Sequence, residues 1–145
     1  MTEKTQLSCI ISSTNPTAKI GIEIWFDNTQ IYNAEHVEEN VNFVHDFEDT
    51  DGEHQLRFVM KNKTEEHTIT DNSGNILSDC CICINELSFD EIKLGQVLID
   101  QAVYEHDFNG TADTIQDKFY GEMGCNGTVT LAFTTPVYLW LLENM

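Results

Sequence analysis

The sequence predicts an all-β protein: an antiparallel β-sandwich, jelly-roll-like, with one short apolar helix at the C-terminal side. Three observations carry that expectation. Apolar and polar residues alternate in several short runs, as they do in strands with one face on a core. Turn-forming clusters such as Asp27-Asn28-Thr29 and Asp71-Asn72-Ser73-Gly74-Asn75 separate those runs at close spacing. No long stretch shows the periodicity of an amphipathic helix.

Taken in order, Gln6–Ser12 reads as a first strand closed by Ser13-Thr14-Asn15-Pro16. Ile20, Ile22, Ile24 and Phe26 then alternate cleanly with Gly21, Glu23, Trp25 and Asp27. A short segment follows at Ile31 and Tyr32. The organising stretch is Val41–Leu94. Val41, Phe43, His45 and Phe47, then Leu56, Phe58 and Met60, form two alternating runs around Asp51-Gly52, which predicts a hairpin. A weak strand is expected near His67–Thr70. Cys80–Leu87 is apolar on both faces at first, as in a strand inside a sheet. Phe89, Ile92, Leu94, Val97 and Ile99 predict one or two further short strands, and Ala102–Phe108 another. Gly121–Gly127 reads as a loop. Val129, Leu131 and Phe133 give the last strand one apolar face.

Residues 1–135 thus read as the sandwich domain and 136–145 as a helical tail. Thr135 is the expected capping residue and Pro136 the first helical position. Tyr138, Leu139, Trp140, Leu141 and Leu142 would cover every side of so short a helix. They either cap an open end of the sandwich or dock on another subunit, and are the candidate interface.

Charge sets the outer limits on function. The chain carries 25 acidic and 7 basic residues, a net charge of −18, with Arg57 its only arginine. Such a surface repels nucleic acid and anionic membranes and attracts divalent cations or basic partners; simple solubility, or salty surroundings, explains it equally well. MTEKTQLSCII lacks the basic flank and apolar core of a secretion signal, and no apolar run approaches membrane-spanning length. Folding in a cytoplasm is therefore expected. The five cysteines fit reduced thiols better than a disulfide framework. In a strand, Cys81 and Cys83 share one face and Cys80 the other, a poor start for a tetrahedral metal site.

Signs of catalysis are sparse. The five histidines show no metal-ligating spacing, and no nucleophile elbow is present. A non-enzyme is expected. The oxygen-rich run from Asp71 through Asn75 to Asp79 has side chains suited to calcium, or to an ordinary Asx-rich turn. Ile76 and Ile82 stand where an EF-hand needs glycine and glutamate.

Two segments resemble known groups of proteins. Trp25-Phe26-Asp27-Asn28, Gly52-Glu53-His54-Gln55-Leu56, Lys61-Asn62-Lys63 and the restart at Asp79 with Ile82, Ile84 and Leu87 follow one another in a recognisable order. Together they resemble β-sandwich modules that bind xylan-type carbohydrate through calcium. That resemblance covers roughly Ile20–Ile92. It implies Ca2+ binding, with Asp79 matching as the acid that opens the strand, and a glycan partner; Asp27 and Asn62 match as landmarks of the sandwich, and with the loop the candidate metal ligands are Asp71, Asn75, Asp79 and Asn62. Lys63 replaces the family's aspartate after Asn62, and Cys80-Cys81 replaces its Arg-Asn. Gly121–Met145 is similar to the ends of small proteins encoded by tailed phages of marine bacteria. The resemblance implies a virion module, a capsid decoration or tail-fibre domain, assembled in the host cytoplasm with other virion proteins or with its own copies. The competing expectations are an acidic DNA-mimic inhibitor of a host nuclease and a carbohydrate-active enzyme.

Overall fold

The computed structural model describes residues 4–64, 69–107, 110 and 113–145. Its strands form two main sheets, antiparallel at every pairing. One sheet has the order β12 (Glu122–Met123), β8 (Ile82–Phe89), β1 (Lys4–Ser13), β4 (Val41–Glu48), with β9 (Ile92–Lys93) also on β8. The other runs β11 (Ile115–Lys118), β10 (Val103–His106), β13 (Gly127–Thr135), β5 (Gly52–Lys61), β2 (Gly21–Phe26), β3 (Thr29–Ala34). A separate small pair joins β6 (Ile69–Thr70) to β7 (Ile76–Ser78). The fold is the expected antiparallel sandwich. The described residues also form helices α1 (Gln96–Gln101) and α2 (Val137–Asn144).

Alternation builds the core. β1 buries Leu7, Cys9 and Ile11; β4 buries Phe43 and Phe47; β2 buries Ile22 and Ile24; β5 buries Leu56, Phe58 and Met60; β13 buries Val129, Leu131 and Phe133. β8 changes phase part-way, with Ile82 and Ile84 buried first and Leu87 and Phe89 after. An irregularity in its pairing with β1 supplies the extra residue, and Glu86 takes a left-handed φ of 55° there. His45 is half-buried on Phe26, and burial pushes its imidazole pKa down, with the neighbouring Asp46 acting the other way.

The expected hairpin at Asp51-Gly52 does not form. β4 pairs with β1 in one sheet, whereas β5 lies between β13 and β2 in the other. Alternation reports which face of a strand is buried and is silent about its neighbour. Gly52 is not among the positive-φ glycines, so the turn geometry that an Asp-Gly hairpin requires is absent. Instead Asp49 turns inward and the chain crosses between sheets. The two-residue turns lie elsewhere. Phe26 pairs with Thr29 across Asp27-Asn28, and Phe89 pairs with Ile92 across Asp90-Glu91, where both φ values are positive.

Other elements also differ from expectation. Beyond β9, Val97 and Ile99 lie in α1 instead of a strand: Gly95, at φ 52°, breaks the extended chain, and Val97 and Leu98 face the core. β7, β11 and the two-residue β12 are too short or too polar to show in the pattern. Cys80 and Cys81 precede β8. His67, Thr68 and Phe108, within the strands expected near His67–Thr70 and Ala102–Phe108, lie outside the described residues.

At the C-terminal helix, Pro136 is the N-cap with extended backbone and Val137 is the first helical residue; the Thr135–Pro136 peptide is cis. Thr135 does not cap the helix: its hydroxyl donates to the Thr50 carbonyl. The capping acceptor comes from far away in sequence. Asp49 Oδ1 takes the Val137 N–H at 3.0 Å, while Oδ2 takes the Thr5 hydroxyl at 2.7 Å. One buried carboxylate thereby satisfies an orphan donor of α2 and ties the helix to β1.

Candidate functional site

The residues expected to hold calcium have separate partners. Asp71 accepts the backbone N–H groups of Ser73 and Asn75 and the Asn75 side-chain amide, at 2.8–3.0 Å. The Asn75 amide is the chief reason its carboxyl lies below the usual range, helped by the backbone bonds. That is an Asx turn. Asn62, with a left-handed φ of 72°, gives its amide to the Glu35 carbonyl and carboxylate. Asp79 accepts the Lys63 ammonium at 2.6 Å. The structure brings Asp71 and Asn75 together and leaves Asp79 and Asn62 with other partners. Among the described residues, no group of three or more His, Cys, Asp or Glu side chains converges to hold a metal ion.

Lys63 stands where the resembled modules carry an aspartate. Its side chain is 2% exposed, and its ammonium also donates to the Gly124 carbonyl. Lys63 N–H donates to Asn126 Oδ1, and Asn126 Nδ2 donates back to the Lys63 carbonyl. Three loops are clasped at one point. The thiols of Cys80, Cys81 and Cys125 surround it, each pushed up in pKa chiefly by burial, with the Lys63 charge working the other way.

The interface candidates divide. Trp140 (5% exposed) and Leu141 (4%) sit in the core, with the Trp140 ring edge-on to Phe133 and Phe89 at 6.0 and 6.3 Å. Tyr138, Leu139 (58%) and Leu142 (71%) face outward, as does Met145. The Tyr138 hydroxyl reaches Asp90 at 3.2 Å. Between α1 and α2 lies a groove of about 290 Å³, lined in part by Ile92, Val97, Leu141 and Met145.

A larger cleft, about 580 Å³, opens beside α2. The Asp27-Asn28 turn, Glu53, His54 and Gln55 at the start of β5, Ala132–Thr134 near the end of β13, and Trp140 line it. The β2–β5 register, with Phe26 opposite Leu56, brings the turn onto the beginning of β5. His54 Nδ1 meets Asp27 Oδ2 at 2.9 Å, and the Gln55 N–H donates to Oδ1 at 2.9 Å. Partial burial raises the Asp27 pKa, but the His54 and Gln55 hydrogen bonds and the His54 charge outweigh it, so the carboxyl lies below its usual range. Asp27 holds a φ of 54°, a left-handed conformation aspartate tolerates. Arg57 fixes the turn from the outer face: its Nη2 donates to the Asp27 carbonyl at 2.9 Å, while its guanidinium lies 5.7 Å from the Trp25 ring centre. Behind His54, Phe26 and Phe133 pack on the imidazole at 5.2 and 5.6 Å.

Sequence reasoning missed this cleft. Both of its polar segments lie inside the motifs that carry the first resemblance, but there they serve as landmarks of the fold. The remaining signal is a pair of polar residues, Asp27 directly after Phe26 at the end of β2 and His54 two residues before Leu56 near the start of β5.

Compared with protein-family models, with curated proteins and with solved structures, the chain matches none. Among the described residues, no helix is long and apolar enough to cross a membrane.

Proposed function

We propose that this chain is a non-catalytic structural or adhesion module of a phage particle, assembled through its C-terminal helix. The observation that carries the reading is the division of α2. Val137, Trp140 and Leu141 anchor the helix in the sandwich, so Leu139, Leu142 and Met145 stand as a fixed apolar strip in solvent. Leaving several large apolar side chains exposed together favours association, because covering each contributes about 1.5–3 kcal/mol. The groove toward α1 meets that strip at Met145.

Two features favour this reading over its competitors. Asp27 is held ionised by its own neighbours, which suits a group that positions His54 better than one that donates a proton. The helices carry one acid each, Asp100 and Glu143, and neither displays rows of charge resembling phosphates.

Proteomics of purified particles tests the assignment, together with sedimentation of a Leu139→Glu/Leu142→Glu double variant. The reading expects the chain in stoichiometric amounts and a variant that keeps its fold but loses association. Absence from particles, or sedimentation unchanged by the variant, contradicts it. A glycan ligand belongs to the proposal through the resemblance, and calcium through the resemblance and the oxygen-rich loop at Asp71–Asn75. With Lys63 neutralising Asp79, the Asp71 turn is the remaining calcium candidate. A melting temperature raised by calcium over chelator, absent with magnesium or sodium and lost in Asp71→Ala, supports the metal; identical curves remove it.

A further inference from the structure

The cleft around Asp27 and His54 has the chemistry of a cation site. Among the described residues, no lysine or arginine lines it, while Asp27, bonded to His54, and Glu53 both do, in a chain of net charge −18. The Asp27 carboxylate stays ionised and takes one N–H on each oxygen, where a carboxylate offers about four lone-pair positions in all. Glu53 is exposed beside it. Asn28, Gln55 and Thr134 also line it, and its apolar part is the exposed Ala132 with the small uncovered edges of Phe133 and Trp140. A volume of about 580 Å³ admits a charged head on a hydrocarbon stem.

We propose that this cleft receives an arginine side chain from a basic segment of a partner protein. The guanidinium fork matches a carboxylate in two parallel hydrogen bonds, which an ammonium does not, and the stem packs on the apolar part. The long-range field of the acidic surface draws such a segment in. This inference rests on the assembly reading above and names the chemistry of the partner.

N-Butylguanidine, with a guanidinium as its only charge on a four-carbon stem, is the probe, titrated into the full chain at physiological salt and followed by backbone amide NMR. The expected result is saturable shifts confined to Asn28, Glu53, His54, Gln55 and Thr134. Glu53→Gln, an exposed change that leaves the fold intact, weakens binding about tenfold. Glu38→Gln/Glu39→Gln, two acids outside the cleft, leaves binding unchanged, and the uncharged N-butylurea produces no shifts. Three results each overturn the proposal: shifts that fail to saturate, equal weakening by the remote pair, or equal binding of the urea. None of these touches the Leu139/Leu142 sedimentation result, so failure of the cleft and failure of the assembly reading remain distinguishable.

Discussion

The two ends of the sandwich are closed by opposite means. β5 and β13 run in opposite directions between them, so Gly52 and Thr135 mark one end and Lys61 and Gly127 the other. At the first end the closure is mostly apolar mass. Phe26, Phe47, Phe89, Phe133 and Trp140 form a connected set of ring contacts at 5.0–6.3 Å, and one buried carboxylate, Asp49, fixes the helix over them. At the second end the Lys63–Asp79 pair and reciprocal hydrogen bonds to Asn126 clasp loops together beside Cys80, Cys81 and Cys125. The difference teaches where stability should reside. Apolar burial is favourable in itself, whereas a buried ion pair offsets much of its attraction with desolvation.

The largest effect is therefore expected at the aromatic end. Trp140→Ala should cost about 3–5 kcal/mol in urea unfolding, through lost burial and the cavity left against Phe89 and Phe133. Asp49→Ala should come next, at about 2 kcal/mol, because it strands the Thr5 hydroxyl and the Val137 N–H together. A cost below about 0.5 kcal/mol would show that Asp49 does not hold the helix.

The clasp should answer asymmetrically. Asp79→Ala leaves the buried Lys63 ammonium without its carboxylate and should destabilise by about 2 kcal/mol, reduced from the fully buried case because Asp79 is one-third exposed. Lys63→Met removes the charge and keeps the stem, so it should cost less than Asp79→Ala. A cost for either clasp variant above that of Trp140→Ala would make the clasp the stronger end and break the comparison.

Acid should act weakly, and the cleft is one of the places where it acts. Asp27 has a folded pKa below its ordinary 3.8, so its contribution is present above that value and is lost as pH falls through the lower folded one. Urea unfolding of Asp27→Asn should be less pH-dependent below about pH 4 than that of the parent chain. Because the Asp27 side chain is 43% exposed, the difference at neutral pH should be small.

The faces of the strands were legible in the sequence, and their neighbours were not. Ile22–Ile24, Phe43–Phe47, Leu56–Met60 and Val129–Phe133 bury the sides their alternation predicts. The same alternation misplaced β5, since a strand buried on one face satisfies its pattern in either sheet. The Asp90-Glu91 turn escaped notice because it has positive φ at two residues without the glycine or asparagine that usually announces it. α2 was legible from its proline and apolar run, yet its cap lies 88 residues away at Asp49. The cleft was hidden for the same reason: Asp27, His54, Thr134 and Trp140 belong to four elements that only the register of the sheets brings together.

Native-state hydrogen exchange on the full chain, resolved by residue, is the most direct test of the claim that α2 belongs to the aromatic end and does not merely rest on it. Helix amides anchored by Trp140 and Leu141 should exchange only through global unfolding, with the same free energy and denaturant dependence as Phe133 in β13. Exchange of the Leu141 amide at a free energy well below that of Phe133, and dependent on protein concentration, would instead make the helix a docking tail and contradict the account.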